Sequence, residues 1–285
     1  MLKKFAIFVS KIFFMNKNNK DSLGDRIKSY ENQICGIKLL PRIPIIARLD
    51  IRAGHTFCKG LNRPFDNRFV EAMIETSKFL VKETNANIAY TQSDEITLLW
   101  YTENIDSQMF FGGRVFKILS LLPSMASVYF NKMVNKLIPE KNKLSPIFDC
   151  RVFNVPTLDE AVNCFYWREL DATKNSITMA ARYVYSDKEI FQKNSSEKQE
   201  MLFKKGINWN DYADSLKRGT YIQRKRKIST FSMEELNRLP DKHNAKKDPN
   251  YVMERWCVER LYLPPISKIK NKIEVLVYGK DYEME

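Results

Sequence analysis

Cysteine and histidine are scarce in this chain, and their scarcity limits the kinds of site it can build. The five cysteines include no Cys-x-x-Cys pair, and the only histidines are His55 and His243. Zinc sites and disulfide frameworks need such residues at short, regular spacings. We therefore expect neither a zinc site nor a disulfide framework, which is typical of a protein in a reducing compartment.

Long apolar runs are missing as well. Residues 2–14 form an apolar stretch that is broken by Lys11 and carries three lysines, so it is too short and too charged for a membrane span. It lacks a small-residue cleavage site and any arginine, which gives little support to a mitochondrial presequence. We treat residues 1–24 as an N-terminal arm, note Met15 as an alternative start, and expect a cytoplasmic protein with no membrane partner. Mitochondrial import is kept as the alternative.

Basic residues, by contrast, are abundant and outnumber the acidic ones. The 285 residues carry 47 Lys and Arg against 34 Asp and Glu, and the resulting net charge of +13 favours a polyanionic partner. The densest basic cluster is Arg-Lys-Arg-Lys at residues 224–227. Contact with a phosphate backbone and a solvated charged loop are both open interpretations of that cluster.

Apolar periodicity predicts the order β-α-β-β-α-β over the first half of the chain. The four expected strands are residues 45–49, 88–90, 96–100 and 150–155. Helical spacing predicts one helix capped by Asp66 and a second over residues 114–137, with a kink or break at Pro123. Thr157 and Glu160 form a capping box that opens a further helix.

This order predicts an α+β fold class with a ferredoxin-like unit over residues 25–156. Residues 157–285 are expected to add a C-terminal, mainly helical region. Within it, residues 241–248 indicate a loop, and the weak alternation of residues 269–278 allows one terminal strand. The tail after residue 230 suggests no function of its own.

Asp50 and Asp94 each lie at the end of a strand-like run, and Glu95 follows Asp94 directly. Right-handed crossovers leave the first and third strands of this unit adjacent and antiparallel, so these carboxylates should meet at one sheet edge. Carboxylates this close repel each other unless a cation neutralises them, and their hard oxygens suit Mg²⁺. Two Mg²⁺ ions there would suit in-line attack on phosphorus. For each aspartate alone, a turn or helix-cap role is the ordinary alternative.

Several segments together resemble the tRNA-histidine guanylyltransferase superfamily, and most of all its guanylyltransferase-like branch. They run in family order between about Asp21 and Tyr221. The matching segments are Arg48-Leu49-Asp50 with His55-Thr56-Phe57, Ala89-Tyr90-Thr91-Gln92-Ser93-Asp94-Glu95, Phe148-Asp149-Cys150-Arg151-Val152-Phe153, Tyr166-Trp167-Arg168 with Leu170-Asp171-Ala172, and Lys217-Arg218-Gly219-Thr220.

The resemblance implies a polymerase-type palm that extends RNA at its 5′ end, with the carboxylates Asp50, Asp94 and Glu95 at its catalytic centre. It implies two Mg²⁺ ions held by Asp50, Asp94 and the backbone carbonyl of Ile51. The family normally has Gly at the position of Ile51, and a β-branched side chain there would be expected to crowd an incoming base.

The resemblance also assigns substrate contacts, with ATP, GTP and other nucleoside triphosphates as substrates and tRNA as partner. The implied nucleotide-binding residues are Asp50, Ile51, Arg52, Ala53, Gly54, His55, Ser93, Asp94, Arg114 and Lys117. The implied RNA-binding residues are Trp167, Arg168, Asp171, Asn175, Lys217, Arg218, Arg224, Lys225 and Arg226. By resemblance, we also expect a homo-oligomer, most often a tetramer.

One departure bears on the reaction. Enzymes that add guanosine to tRNA-His carry a histidine where this chain has Thr173. The loss resembles the guanylyltransferase-like branch, whose members suit template-directed repair of truncated tRNA 5′ ends. Three alternatives stay open, namely guanosine addition to tRNA-His, a catalytically silent tRNA-binding homologue, and a palm-type nucleotide cyclase.

Overall fold

One antiparallel sheet runs through the computed structural model, which describes residues 22–248 and 250–285. The expected N-terminal arm, with its candidate targeting segment and Met15, therefore lies outside the described residues except for residues 22–24. Those three residues begin the first helix. None of the helices in the described ranges is both long and apolar enough to cross a membrane.

Six strands form the sheet, in the order β4-β1-β3-β2-β5-β6, and each neighbouring pair is antiparallel. The strands are β1 (Ile45–Ile51), β2 (Ile88–Gln92), β3 (Glu95–Trp100), β4 (Phe148–Asn154), β5 (Thr220–Thr230) and β6 (Val252–Leu261). Because β5 pairs with β2, the C-terminal region extends the sheet that the first half of the chain begins.

The helices fall into a few long ones and several single turns. In chain order they are α1 (Ser22–Cys35), α2 (Gly54–Phe57), α3 (Asn67–Thr84), α4 (Val115–Leu137), α5 (Leu158–Val184), α6 (Asp187–Ile190), α7 (Ser195–Lys204), α8 (Asp214–Lys217), α9 (Met233–Arg238), α10 (Asn244–Lys247) and α11 (Lys272–Leu276). Short 3₁₀ turns occupy Phe110–Gly113, Pro139–Lys141, Trp209–Asp211 and Ile266–Lys268.

The two faces of the sheet bury different helices. Helices α3 and α4 pack on one face, where Phe69, Leu80 and Phe130 join the inward side chains of β1 and β3 in the larger core cluster. Helix α5 and the C-terminal turns cover part of the other face around Phe165 and Tyr221. The even-numbered positions of β1 face the α5 side, since Ile46 belongs to that second cluster.

The observed order from β1 to β4 is the predicted β-α-β-β-α-β, and the fold is α+β. Asp66 caps α3 as expected, since its side chain accepts a hydrogen bond of 3.0 Å from the backbone N–H of Arg68. Thr157 likewise caps α5 by accepting from the backbone N–H of Glu160. Of the kink or break expected at Pro123, the break does not occur, because α4 continues through this buried residue.

The C-terminal region differs from the expectation in three places. A solvated loop was one of two open interpretations for the basic residues 224–227, but they lie in β5. The strand starts on buried residues Tyr221 and Ile222 and projects as a hairpin with β6. The expected strand at residues 269–278 contains α11 instead, whose consecutive buried residues Val275 and Leu276 suit a helical turn against the core. The expected loop at residues 241–248 includes the single turn α10.

Candidate active site

The carboxylates expected to converge do lie together at one edge of the sheet. Asp50 of β1 is directly opposite Glu95 of β3 in the antiparallel register. Asp94 precedes Glu95 in the β2–β3 turn, where Ser93 has a positive φ of 48°. The backbone N–H of Ile51 donates to the carbonyl of Asp94 at 3.1 Å, which ties the turn to the end of β1.

Gly54 and Asp94 approach each other more closely than a side chain at position 54 would allow. A Cβ atom built on Gly54 would lie 1.9 Å from Oδ2 of Asp94. Ala53, just before it, has left-handed backbone angles and is the N-cap residue of the short helix α2. Glycine at position 54 is therefore a steric requirement for the position of the Asp94 carboxylate.

Arginine side chains pair with two of the three carboxylates. Arg151 of β4 donates to Oδ2 of Asp50 at 2.8 Å. Arg168 of α5 donates through Nε to Oε1 of Glu95 at 2.6 Å, in a pair whose side chains are only 12% and 11% exposed. Arg168 also contacts Asp171 at 3.0 Å, and Asn175 donates to the same Asp171 oxygen. A charge network therefore runs from β3 into α5.

Burial makes the two inner carboxyl groups, Asp94 and Glu95, weaker acids than usual. It raises the pKa of the Asp94 carboxyl, and the negative charge of Asp50 adds to that rise, while hydrogen bonds from its own backbone and from Ser93 oppose it. Burial also raises the pKa of Glu95, against the opposing effect of Arg168. Both groups are therefore held at a cost in their ionised forms, which an added cation would relieve.

The side chain of Ile51 faces away from this site. It is 2% exposed and belongs to the core cluster on the α3 and α4 face. The crowding expected from a β-branched residue here is absent, because alternation along β1 puts Asp50 and Ile51 on opposite faces of the sheet. Only the backbone of Ile51 is available to a ligand.

A cavity of about 630 Å³ opens beside the carboxylates. The sequence-predicted site residues that line it are Asp50, Gly54, His55, Ser93, Asp94, Glu95, Arg168, Asp171, Asn175 and Lys217. Three basic residues that sequence reasoning missed also line it, namely Lys59, Arg63 and Arg182. Apolar walls are added by Phe65, Met179 and Leu216. A half-open space with carboxylates, basic residues and apolar walls suits a nucleotide.

Arg114 and Lys117 lie elsewhere. They are at the start of α4, near the far end of β3, where Phe110 stacks on Trp100. Neither residue lines the cavity beside the carboxylates. The resemblance implies that Arg114 and Lys117 contact the triphosphate. Within a single chain, the structure does not place them at the cavity where a triphosphate would bind.

The remaining predicted residues surround the cavity without lining it. Arg52 and Ala53 are exposed in the turn after β1. Trp167 is 55% exposed on α5, and the guanidinium groups of Arg48 and Arg168 lie 5.4 Å and 4.6 Å from the centroid of its ring. Arg218 contacts Asp214 at 3.1 Å beyond the cavity. An exposed tryptophan flanked by cations is a suitable stacking surface for a nucleobase.

The β5–β6 hairpin presents a second aromatic and basic surface. Arg224 and Arg226 of β5 place their guanidinium carbons 3.9 Å and 4.8 Å from the ring centroid of Trp256, which is 52% exposed. Lys225 points to the opposite face of the ribbon, beside Cys257. Pairing of β5 with β6, invisible in the sequence, assembles this surface.

Within residues 22–248 and 250–285, no group of three or more His, Cys, Asp or Glu side chains is placed to hold a metal ion. The donor set available at the site is two carboxylates, Asp50 and Asp94, with backbone oxygen nearby. Burial, followed by the charge of Asp94, raises the pKa of the adjacent Cys58 thiol to about 11, so it is neutral at pH 7 and offers no soft ligand. These hard oxygens fit Mg²⁺.

Comparison with known proteins points to one family. A family model described as tRNAHis guanylyltransferase matches residues 24–156. The tRNA(His) guanylyltransferase of Debaryomyces hansenii is 30% identical over 203 residues, which cover 65% of this chain and 75% of that relative.

Solved structures agree with the sequence matches. A bacterial tRNA(His) guanylyltransferase-like protein in complex with ATP is 35% identical, with a TM-score of 0.73, over 90% of this chain and 100% of its own. A similar bacterial protein in complex with GTP is 33% identical, with a TM-score of 0.68 and the same coverage. The matched regions include the strands that carry Asp50 and Glu95. The chain belongs to the tRNA(His) guanylyltransferase family, whose named members are nucleotidyltransferases.

Proposed function

We propose that the chain is a Mg²⁺-dependent nucleotidyltransferase that adds nucleotides in the 3′-to-5′ direction to the 5′ end of tRNA. The observation that carries this proposal is the juxtaposition of Asp50, Asp94 and Glu95 at the mouth of a cavity lined by basic residues. Family membership supports the nucleotidyl transfer, and the +13 net charge supports a nucleic-acid partner.

The fold supports a palm-type catalytic domain. The β-α-β-β-α-β order with neighbours β4-β1-β3-β2 is the arrangement of a ferredoxin-like unit, to which we assign residues 25–156. Residues 157–285 would then contribute RNA and nucleotide contacts, through α5 at the cavity and through the β5–β6 hairpin outside it.

Asp50, Asp94 and the backbone carbonyl of Ile51 would hold the two metal ions. When bound, Mg²⁺ lowers the pKa of an attacking hydroxyl and stabilises a leaving pyrophosphate. The raised pKa of Asp94 supports this assignment, because burial beside Asp50 makes the ionised pair costly without a cation. Gly54 contributes by leaving room for the carboxylate.

The basic residues of the cavity have a separate role. Lys59, Arg63 and Lys217 would bind and orient the phosphates of a nucleoside triphosphate, since they line the space beside the carboxylates. ATP and GTP are the nucleotides bound by the similar bacterial structures, and we propose both as substrates here. ATP would activate a 5′-monophosphate by adenylylation, whereas a 5′-triphosphate end could be attacked directly.

We further propose that the substrate is a truncated tRNA repaired against its own 3′ strand. Thr173, which replaces the histidine of enzymes committed to tRNA-His, donates its hydroxyl to the carbonyl of Glu169 on its own helix at 2.9 Å. The Thr173 hydroxyl is therefore engaged within α5. This favours templated repair over recognition of tRNA-His through residue 173.

The decisive experiment uses an internally labelled tRNA that lacks its first nucleotide, incubated with Mg²⁺, ATP and each nucleoside triphosphate separately. Extension only by the nucleotide that complements the opposing 3′ strand is expected. Guanosine added whatever the template would support tRNA-His guanylyltransferase activity instead. Binding without extension would support a silent homologue, and a cyclic nucleotide formed without RNA would support a cyclase. The Asp50→Asn variant is the control and should bind tRNA without extending it.

A further inference from the structure

A small cavity lies beside the larger one, where the start of β5 meets the end of β6. Its volume is about 30 Å³, and its walls include Thr220, Arg260 and Tyr262. Ser215 and Gly219 line both cavities, so one chain segment separates this space from the candidate active site. We call the small cavity the β6 pocket. It has room for a water molecule or one small anionic group.

Two hydrogen-bond donors of the β6 pocket have no protein partner. The Thr220 hydroxyl and the Nε of Arg260 are both buried and form no hydrogen bond with any residue in 22–248 or 250–285. Within the same ranges, Arg260 forms no ion pair, and its guanidinium carbon lies 5.3 Å from the ring centroid of Tyr262. Buried donors in this state are costly, so the pocket requires a ligand that accepts hydrogen bonds.

The carboxylates in the wall of the pocket are already engaged. Glu169 accepts a hydrogen bond on each of its two oxygens. Asp214 pairs with Lys217 at 3.3 Å and with Arg218 at 3.1 Å. What remains free is donor capacity and the positive charge of Arg260. A water molecule would satisfy only the donors, whereas an anion would also neutralise the charge.

Tyr262 indicates which anion fits. It is 80% exposed and lies beside the Arg260 guanidinium. An exposed aromatic ring next to an arginine is a stacking surface for a nucleobase, and guanidinium groups hydrogen-bond phosphate oxygens. A free inorganic ion would use the arginine alone. A nucleotide would use both side chains, with its phosphate in the pocket and a base on the ring.

The position of the pocket connects two surfaces that an RNA substrate is expected to contact. Alternation along β6 puts Arg260 on the same face of the hairpin as Trp256, because β5 and β6 pair in continuous register. On its other side, the pocket shares Ser215 and Gly219 with the cavity of the catalytic carboxylates. An RNA strand that runs from the hairpin to that cavity would therefore pass over the pocket.

We propose that the β6 pocket binds one backbone phosphate of an RNA strand through Arg260 and Thr220, with an adjoining base stacked on Tyr262. That the strand is the tRNA substrate rests on the proposed function, whereas the phosphate chemistry rests on the pocket alone. The two buried donors form their hydrogen bonds only when the phosphate is present. The ligand-free protein and its RNA complex should consequently respond differently to substitution.

Thr220→Val separates a ligand-binding role from a structural one. Valine keeps the shape of threonine but removes an unpartnered buried hydroxyl, so the ligand-free protein should melt at an equal or higher Tm. The affinity for the truncated tRNA should fall about tenfold, because a hydrogen bond to a charged group is lost. Filter binding and circular dichroism melts measure the two effects. Thr230→Val, at the exposed end of the same strand, is the matched control and should change neither.

Substitutions of the other two residues test the charge and the stacking. Arg260→Gln should weaken tRNA binding about tenfold at low salt and lower the slope of log affinity against log salt by about one. Arg260→Lys keeps the charge and should restore the slope. Tyr262→Ala should weaken binding about tenfold without changing the slope. Arg238→Gln, at an exposed arginine on α9, is the control and should match wild type.

Equal tRNA affinities of wild type, Thr220→Val and Arg260→Gln would overturn the proposal. Inorganic phosphate then identifies the occupant. A Tm that rises with phosphate for wild type but not for Thr220→Val would assign the pocket to a free ion, and equal responses would assign it to water. A ligand-free Thr220→Val protein that melts well below wild type would also overturn the proposal, because the hydroxyl would then have a structural role.

The proposed function can fail separately from the pocket. Weaker tRNA binding by these variants, together with no extension of any tRNA by wild type, would overturn nucleotide transfer and support the pocket. Templated extension by wild type, together with normal tRNA binding by every variant, would do the reverse.

Discussion

At the residue scale, the position of Asp94 depends on the absence of a side chain at residue 54. We predict that Gly54→Ala lowers nucleotidyl transfer by about a hundredfold, because the new methyl group must displace the Asp94 carboxylate by an ångström or more. Steady-state kinetics with the truncated tRNA measures the loss. Thr56→Ala, an exposed change in the same turn, is the control. Full activity of the Gly54→Ala enzyme would contradict the argument, because it would show that transfer does not depend on the observed position of the Asp94 carboxylate.

Asp94 should also show opposite effects on activity and stability. Its folded pKa is raised above the ordinary value of 3.8, so the folded protein binds this proton more tightly than the unfolded chain. Ionisation therefore destabilises the fold as pH rises through that raised pKa, and the penalty is fully present above it. We predict that Asp94→Asn abolishes transfer and raises Tm at pH 7 in the presence of a chelator.

The gain in Tm should shrink as the pH is lowered through the raised pKa, because the wild-type carboxyl is then neutral too. Thermal melts followed by circular dichroism at neutral and acid pH measure the difference. Asp106→Asn, at an exposed position, is the control. Equal Tm values for wild type and Asp94→Asn at pH 7 would contradict the burial argument.

Sequence reasoning located the carboxylates better than the cations. Asp50 and Glu95 could be paired in advance, because their adjacency follows from strand order alone. Arg151 and Arg168 could not, since long side chains reach their partners across strands and helices in ways that spacing does not encode. The resemblance implies RNA contact for Arg168, and the structure adds that its guanidinium pairs with Glu95 at the site.

At the element scale, α5 is fixed to the sheet and to the C-terminal turns by one buried carboxylate. Glu169 accepts from the hydroxyl of Tyr221 at 3.0 Å and from the backbone N–H of Ile266 at 2.9 Å. We predict that Glu169→Ala costs roughly 2–4 kcal/mol of unfolding free energy, because both buried donors lose their acceptor. Glu169→Gln keeps one acceptor oxygen and should cost about half as much.

Urea denaturation measures both changes, with Lys174→Ala on the exposed side of α5 as the control. A loss below about 1 kcal/mol for Glu169→Ala would indicate that water replaces the carboxylate without strain.

The elements themselves were predictable where apolar residues recur regularly. The four strands and two long helices from β1 to β4 have that pattern, and it predicts their order. The β5–β6 hairpin was missed because Arg224 to Lys227 interrupt the apolar pattern, and pairing with β6 some thirty residues later holds them extended. Helix α1 (Ser22–Cys35) was missed because its run of helically spaced apolar residues is short and because the helix precedes most of the resemblance.

At the scale of the whole molecule, the net charge of +13 should make tRNA binding strongly dependent on salt. We predict that Arg226→Ala lowers the slope of log affinity against log salt by about one, since each phosphate contact releases roughly one counterion. Trp256→Ala should weaken binding about tenfold at every salt concentration through lost stacking.

Filter binding across a salt series separates the two effects. Arg238→Ala, an exposed arginine paired with Glu234 on α9, is the matched control and should change neither the slope nor the affinity. Unchanged binding by both hairpin variants would place the tRNA on the α5 side, around Trp167.

The buried side chain of Ile51 has a consequence for how relatives of this chain are recognised. A motif search that demands glycine after the first aspartate would reject the chain for a residue whose side chain lies in the hydrophobic interior, 2% exposed and on the face opposite Asp50. The position where the backbone leaves no room beside Asp94 is position 54 instead. In this chain, a substitution at position 54 should therefore disturb the site more than a substitution at position 51 that keeps the volume of the buried side chain.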